Sequence, residues 1–376
     1  MKVELNPHMY CQKVGLLGGG QLALMMGESL INTGAEVIVY AQDLSEPACT
    51  IANNILIGQQ NDSNSLRVFF SYCDIVILEN EFYSPHILQD LIDDTGVKTI
   101  PDIRSYDKLF SKIQQKTFFK ESHIPYTPYE KVLKQQDLSL LINFSGPYIV
   151  KRSHGGYDGY GNQEVADLSL ITDFSHELII EKKLDLKQEY SCLLVKNDTD
   201  TIIFDPCKTY QRNHCCEIVE MCPEIDVSIT SEIKEMVKRM AEGLPGKGVY
   251  AFEFFETQGG TIYINEAAPR VHNSYHFSTE AYDKGQFDYI SELILNHKLV
   301  APEKKYDYLS MINLLGSVES LNYQLNFPHI EGEYEYKIHL YGKKESRPGR
   351  KMGHIILFGN KKNIEIAKRI NQEYTI

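Results

Sequence analysis

The stretch 249–277, VYAFEFFETQGGTIYINEAAPRVHNSYHF, constrains this chain more than any other. Two runs of alternating character, 250–256 and 261–265, flank the pair Gly259-Gly260. Period two on both sides of a glycine turn specifies an antiparallel hairpin. Glu253 in the first strand and Glu266 at the close of the second then share one face, with Asn265 beside them as a further oxygen ligand. Hard-oxygen groups converging in this way suit Mg²⁺, which keeps several waters and is usually held by one or two carboxylates together with substrate phosphates. A solvent-facing hairpin with two ordinary glutamates is the competing reading. The residues that follow, Ala268-Pro269-Arg270 and His272-Asn273, crowd basic and hydrogen-bonding groups next to the pair, as an anionic substrate beside a nucleotide would require.

A chain of 376 residues has enough length for two or three domains around this hairpin. Its formal charge of −13 argues against a general nucleic-acid or acidic-membrane surface, so phosphate recognition has to come from local clusters. No apolar run reaches membrane-spanning length, and the opening MKVELNPHMY lacks the apolar core of a signal peptide. A cytoplasmic protein acting on small molecules, with no nucleic acid or membrane as partner, is expected. Its eight cysteines are then free thiols. Cys207, His214, Cys215, Cys216 and Cys222 cluster, but without the C-x-x-C spacing that marks many zinc sites.

Ahead of the hairpin, a strand at 12–17 runs into Gly18-Gly19-Gly20, a helix follows over 21–32, and Gly34 ends it. Strands at 36–40 and 74–78, with a helix at 63–70 between them, make a βαβ pattern and hence an open parallel sheet. Ligands of such sheets bind at the carboxyl ends of the strands, where the glycine turn and Glu79 both fall. Gly18-x-Gly20-x-x-Ala23 satisfies the loose dinucleotide fingerprint, which makes an NAD-dependent enzyme a competitor. The acidic residue expected at the end of the second strand is missing, however: that strand ends in Tyr40-Ala41-Gln42, and Asp43 arrives late. The same turn could instead offer its amides and the Gln21 side chain to a single phosphate or small anion.

After Pro101 the chemistry changes. Lys112 and Lys116 lie four apart on a predicted helix and project from one face, ordinarily a solvated one. A strand at 147–151 ends in Lys151 and is followed by HGGYDGYG, whose Gly155, Gly156, Gly159 and Gly161 would let backbone amides approach phosphate oxygens beside a fixed positive charge. This is not the Walker A pattern, and a plain glycine-rich hairpin loop is the competing reading. A strand at 177–184 leads to Glu189-Tyr190-Ser191 and a further strand at 192–195; Glu181 and Glu189 are candidates for a base edge and for ribose hydroxyls. An amphipathic helix over 231–243 returns the chain to the hairpin.

In this order, a strand lysine, a GGYDG loop, IIEKKL, a ribose-type Glu, and E-F-F followed by N-E-A-A-P-R resemble the ATP-grasp superfamily. Within it, GGGQL, GGYDGYG, NEAAPRVHNS, SMINLLG at 310–316 and YGKKESRPGRKMGH resemble the 5-(carboxyamino)imidazole ribonucleotide synthase family, over essentially the whole chain. The resemblance implies an α/β ATP-grasp fold with an N-terminal open parallel-sheet domain (1–100), an ATP-grasp domain (101–303) and a small C-terminal domain (304–376), assembled as a homodimer. It implies ATP, Mg²⁺ (or Mn²⁺) and bicarbonate, used to carboxylate the amine of 5-aminoimidazole ribonucleotide through carboxyphosphate in purine biosynthesis.

Carried onto this sequence, the resemblance places Lys112, Lys151 and the loop residues Gly156, Tyr157, Asp158, Gly159 and Gly161 at the ATP phosphates. Glu181, Lys182, Lys183 and Leu184 would line the adenine pocket and Glu189 would hold the ribose. Asn265 would join Glu266 at the nucleotide, with Glu253 and Glu266 as metal ligands. Gln21, Leu22, Glu79 and Asn273 would line the ribonucleotide pocket; Lys343, Arg350 and Lys351 would grip its phosphate and the carboxyphosphate. Tyr157, Asp158, Lys343 and Arg350 form the implied catalytic set, Asp158 aligning the acceptor or its proton transfer. The chain departs from the family at Leu24, where an Arg is usual, at Tyr160, where a basic residue is usual, and at Lys112, where the family has Arg. It also departs over 207–223, where Glu217 and Glu220 appear and the acidic-Asn-x-His stretch does not. These departures keep open a paralogue acting on a different amine, and a protein that binds ATP without turnover.

Overall fold

The computed structural model describes residues 12–133, 138, 144–155, 161–212, 214–326 and 335–376. Gly156, Tyr157, Asp158, Gly159 and Tyr160 lie outside the described residues.

The chain begins with β1 (Lys13–Leu17), α1 (Gln21–Ile31), β2 (Glu36–Ala41), β3 (Asn54–Ile57), α2 (Ser63–Tyr72), β4 (Ile75–Leu78), α3 (Pro85–Thr95) and β5 (Lys98–Ile100). The strands pair in parallel in the order β3-β2-β1-β4-β5. Near-continuous apolar runs such as EVIVYA suit a sheet covered on both faces. Val14, Leu16 and Val39 enter one core while Leu17, Ile38 and Tyr40 enter the other, as the period of a strand requires. Because β1 and β4 are neighbours, the glycine turn after β1 and Glu79 after β4 meet at one edge of the sheet.

Next come α4 (Ile103–Leu109) and α5 (Lys112–Glu121), the latter capped by Ser111, whose hydroxyl accepts from the Gln114 amide. A four-stranded antiparallel sheet follows, made of β6 (Tyr129–Val132), β7 (Tyr148–Arg152), β8 (Asn162–Val165) and β9 (Leu178–Lys182) in the order β6-β9-β7-β8. It has a small core of its own around Val132, Val150, Val165 and Ile180.

The remaining strands form one nine-stranded sheet: β10 (Leu186–Lys196), β11 (Thr201–Ile203), β12 (Cys207–Arg212), β13 (Cys215–Met221), β14 (Gly248–Thr257), β15 (Ile262–Ala268), β16 (Leu309–Leu315), β17 (Glu335–Leu340) and β18 (Lys351–Phe358). The helices of this part are α6 (Val227–Gly243), α7 (Ser278–Ala281), α8 (Gln286–Ile294) and α9 (Asn363–Glu373). The sheet order is β15-β14-β10-β12-β13-β16-β18-β17, with β11 on β10.

One expectation changes here. The strand expected at 192–195 starts earlier, because β10 pairs with β14 through Glu189, Tyr190 and Ser191, so the ladder carries the ribose-type Glu inside a strand. In the segment 304–376, β16 pairs with β13, so its strands extend the central sheet while α9 covers Ile312, Leu314 and Ile355. At the other end, Ser29 of α1 bonds Ser291 of α8 at 3.0 Å, and Arg270 pairs with Glu81 at 3.0 Å, fastening the parallel sheet to the segment after the hairpin. Among the described residues no helix is long and apolar enough to cross a membrane.

Candidate active site

The hairpin forms as its alternation predicts. Glu253 on β14 stands directly opposite Glu266 on β15, while Phe252 and Phe254 are fully buried beneath them. A strictly regular β15 would send Asn265 to the face opposite Glu266. Instead the register shifts, with Glu253 opposite Glu266 and Phe254 opposite Ile264, leaving Asn265 as the extra residue of a bulge. The bulge turns the Asn265 side chain to the same side as Glu266, where Lys151 Nζ donates to its Oδ1 at 2.9 Å.

Two lysines reach these oxygens, and a third joins them at Glu181. Lys112 pairs with Glu266; Lys116 and Lys151 both pair with Glu181, at 2.6 and 2.7 Å. Lys112 and Lys116 do share one face of α5, but that face turns inward: Lys116 is 2% exposed. Burial by itself would raise the Glu181 carboxyl, and Lys151 and Lys116 outweigh it, bringing the carboxyl down to about 2. Glu181 therefore organises two lysines with its carboxylate. Of its neighbours, Lys183 pairs with Glu164 of β8 at the surface at 2.5 Å.

The two facing glutamates are driven apart in acidity. Lys112 holds Glu266 well below the usual carboxylate range, whereas burial, then Glu266 and Glu189, raise Glu253. Two like charges this close cannot both ionise cheaply, and a divalent cation between them would relieve the repulsion. Glu189 is raised to about 7, chiefly by burial, with Lys151 and a hydrogen bond to Gln211 opposing.

The glycine turn is committed to another partner. Gly18 has φ +129°, and a Cβ at Gly18 or Gly20 would collide with the Glu79 carboxylate. The Ala23 amide, in the first turn of α1, donates to Glu79 Oε1 at 3.4 Å. The group received by this helix N-terminus is thus the protein's own Glu79 carboxyl, whose pKa burial raises, and it occupies the space that the free phosphate cradle and the dinucleotide reading expected from the glycines would need.

From the C-terminal segment, Arg350 Nη1 donates to the Glu345 carbonyl at 2.9 Å, and the charge of buried Lys351 opposes the rise in pKa of the Glu253 carboxyl and the Cys216 thiol. Asn273 and Asn313 exchange amide hydrogen bonds at 2.8 and 2.7 Å, fixing Asn273 against β16.

Most of these groups border one cavity of about 800 Å³, Lys116 and Asn313 lying behind its wall. It is lined by Gln21, Leu22 and Glu79, by Lys112 and Lys151, by Glu181, Lys182, Lys183, Leu184 and Glu189, by Glu253, Asn265, Glu266 and Asn273, and by Lys343, Arg350 and Lys351. Gly161, with φ +87°, does not line it. Glu46, Gln211 and Cys216 also border the cavity. Nothing in the sequence singles out Glu46 or Gln211, since each arrives by a chain reversal rather than by a motif. Glu217 and Glu220 point elsewhere, bonded to Asn371 and to Tyr210. Among the described residues no group of three His, Cys, Asp or Glu side chains could hold a metal ion, the cysteine cluster included. The Glu253–Glu266 pair with Asn265 fits a cation of the Mg²⁺ kind only if water and substrate oxygens complete its coordination.

Residues 11–105 match the ribonucleotide synthetase preATP-grasp domain, 117–287 the ATP-grasp domain, and 310–368 the phosphoribosylaminoimidazole carboxylase C-terminal domain. The N5-carboxyaminoimidazole ribonucleotide synthase of Staphylococcus aureus (strain COL) is 28% identical over 371 residues, covering 96% of both chains. The Mycobacterium bovis protein of the same name is 27% identical over 360 residues, covering 92% of this chain and 83% of its own. Among solved structures, the Staphylococcus aureus N5-carboxyaminoimidazole synthetase complexed with ADP superposes with TM-score 0.84 at 26% identity, covering 95% of this chain and 96% of its own. The Aspergillus clavatus carboxyaminoimidazole ribonucleotide synthase complexed with ATP gives 0.85 at 25% identity, covering 96% and 100%. Three family matches in the order of the three structural parts, on a cavity that gathers residues from all of them, lead to one conclusion: the chain belongs to the ATP-grasp superfamily and, within it, to the N5-carboxyaminoimidazole ribonucleotide synthase family.

Proposed function

We propose that the protein is an ATP-dependent carbon–nitrogen ligase that carboxylates the amine of 5-aminoimidazole ribonucleotide with bicarbonate, in purine biosynthesis. The observation that carries this reading is a single cavity with two separate cationic sets. Lys112 and Lys151 stand beside the facing glutamates, while Lys343, Arg350 and Lys351 come from the C-terminal segment. One triphosphate and one substrate phosphate need two such sets.

Glu253 and Glu266 would hold Mg²⁺ (or Mn²⁺), which supplies charge neutralisation at the transferring phosphoryl group. Lys112 and Lys151 bind and orient the triphosphate, and Glu189, once ionised, accepts from ribose hydroxyls. Residues 182–184 border the base. A bicarbonate oxygen attacks the γ-phosphorus and ADP leaves, giving carboxyphosphate. The amine nitrogen then attacks the carboxyl carbon, phosphate leaves, and the nitrogen loses a proton. Lys343 and Arg350 hold the ribonucleotide phosphate and the negative charge of the carboxyphosphate, so that positioning and charge neutralisation supply the catalysis. Tyr157 and Asp158 retain the acceptor-aligning role that the family resemblance implies. Gln21, Leu22, Glu79 and Asn273 form the acceptor wall. A homodimer in the cytoplasm, acting on small molecules without nucleic acid or membrane, completes the reading.

A second reading rests on Gln211 and Cys216, which border the cavity from the segment where the chain departs from the family: a paralogue that carboxylates a different amine. Bicarbonate-dependent ADP release, measured over a panel of amines, separates the two. Release with 5-aminoimidazole ribonucleotide supports the first. Release only with another amine supports the second, and ATP binding without release under any condition removes both.

A further inference from the structure

Behind the C-terminal cationic set lies a row of buried rings that the reaction itself does not use. His339 on β17 and His354 on β18 are direct cross-strand partners, and their rings stack at 4.5 Å with an interplanar angle of 17°. The Tyr341 hydroxyl shares a hydrogen bond of 2.8 Å with His354 Nδ1, and His276 meets the Tyr341 ring edge-on at 6.2 Å and 83°. Tyr341, His276 and His354 are each at most 1% exposed. On the ring face of Tyr341, Lys343 Nζ sits 5.7 Å from the centroid. The outer end of the row is anchored as well: His339 Nε2 lies 3.0 Å from Glu280 on α7, and Lys337 Nζ donates to the same carboxylate at 2.8 Å.

The chemistry of this row points toward Lys343. A quadrupolar ring face attracts an ammonium group, and the attraction strengthens when water is excluded. Burial holds the imidazoles of His276 and His354 well below their ordinary pKa, so they are neutral and put no competing positive charge under the lysine. A flexible four-carbon side chain would otherwise lose considerable rotamer freedom each time it gripped a phosphate. A ring already fixed by two histidines removes part of that cost before substrate arrives.

We infer that Tyr341 is a positioning residue for the acceptor: anchored by His354 and flanked by His276, its ring face holds the Lys343 ammonium in the orientation that binds the ribonucleotide phosphate. The inference rests on the acceptor-phosphate role given to Lys343 above.

The test is steady-state kinetics of Tyr341→Leu, Tyr341→Phe and Lys343→Ala, and of each Tyr341 variant combined with Lys343→Ala. Tyr341→Leu is expected to raise the acceptor KM about three- to thirtyfold, the range of a desolvated cation–π contact, with the ATP KM unchanged. Tyr341→Phe keeps the ring and loses only its anchor, so its rise is smaller. In the Lys343→Ala background neither Tyr341 change should add anything, which a merely structural role would not produce. If Tyr341→Leu does not fold, the Tyr341→Phe rise and its disappearance in the double variant carry the test. Additive effects, or equal rises in the ATP and acceptor KM, overturn the inference and leave the acceptor-phosphate role of Lys343 standing. An unchanged acceptor KM in Lys343→Ala overturns that role, and the inference with it.

Discussion

The cavity has two cationic walls built on different principles. On the nucleotide wall, Lys116 and Lys151 straddle Glu181 and Lys112 pairs with Glu266, so buried positive charge is matched by buried carboxylate in the protein itself. On the acceptor wall, Lys343 rests over the Tyr341 ring and Arg350 bonds the Glu345 main chain. Charges taken out of water have to be compensated, and a carboxylate does so strongly but also competes with an incoming phosphate. The first wall is therefore pre-assembled at the expense of competition, and a cation bound at Glu253 and Glu266 would reduce that competition. The second adds a ring face and a main-chain carbonyl to its partners, and its carboxylate pairing, Arg350 with Glu345 at 3.9 Å, is longer than those of the first wall. The difference suits the roles proposed for them, a metal-bound triphosphate on the first wall and a phosphate monoester on the second.

The most damaging test of the first wall is Glu266→Gln. It removes one anionic ligand from the cation site and the partner of Lys112, and turnover should fall by at least about a hundredfold with the fold intact, as read by ADP release. Near-wild-type turnover would remove the hairpin from the chemistry. Glu181→Gln should act on stability instead, leaving two buried lysines without their shared counter-charge at a cost of about 3 kcal/mol or more in chemical denaturation.

The same carboxylate sets a pH window. Its folded value of about 2 is depressed below the ordinary glutamate value of about 4.3, so its contribution is present above about pH 4.3 and lost as the pH falls toward 2. The wild type should lose stability across that window more steeply than Glu181→Gln.

The contrast between the walls is sharpened by Lys151→Ala and Arg350→Ala. Lys151→Ala should weaken ATP binding with little change in the acceptor KM. Arg350→Ala should raise the acceptor KM by the worth of a charge-assisted hydrogen bond, about 1.5–3 kcal/mol, and leave ATP affinity nearly intact. Titration calorimetry with ATP and acceptor kinetics on both variants would read the split; matching defects would abolish the two-wall division. The smallest effect belongs to Lys183→Ala. Its pair with Glu164 is exposed on both sides, and the loss should be under about 1 kcal/mol of stability.

Much of this site is legible in the residues. Lys151 before a glycine loop, and the facing Glu253 and Glu266 across Gly259-Gly260, follow from period two and turn chemistry, and the open parallel sheet follows from its apolar runs. Asn265 is correctly placed for a reason that alternation alone would have denied, because the bulge beside Glu266 has no sequence signature here. Lys116 reads as half of a solvated pair, since helical spacing tells which residues share a face but not whether that face meets water or Glu181. The glycine turn reads as an anion cradle, but what it holds is the Glu79 carboxyl, which the parallel sheet delivers from 56 residues away.

What the sequence by itself determined is therefore local: the strands and helices, the hairpin with its paired carboxylates, and the family motifs, each encoded by residues close together in the chain. What only the tertiary structure decided is which charges meet. The sharing of Glu181 between Lys116 and Lys151, the approach of His276 to Tyr341, and the entry of Gln211 and Cys216 into the cavity all join distant segments. Backbone propensity and hydrophobic period act over a few residues, whereas burial and Coulomb interaction depend on where sheets close upon one another, and those distances exist only in the folded chain.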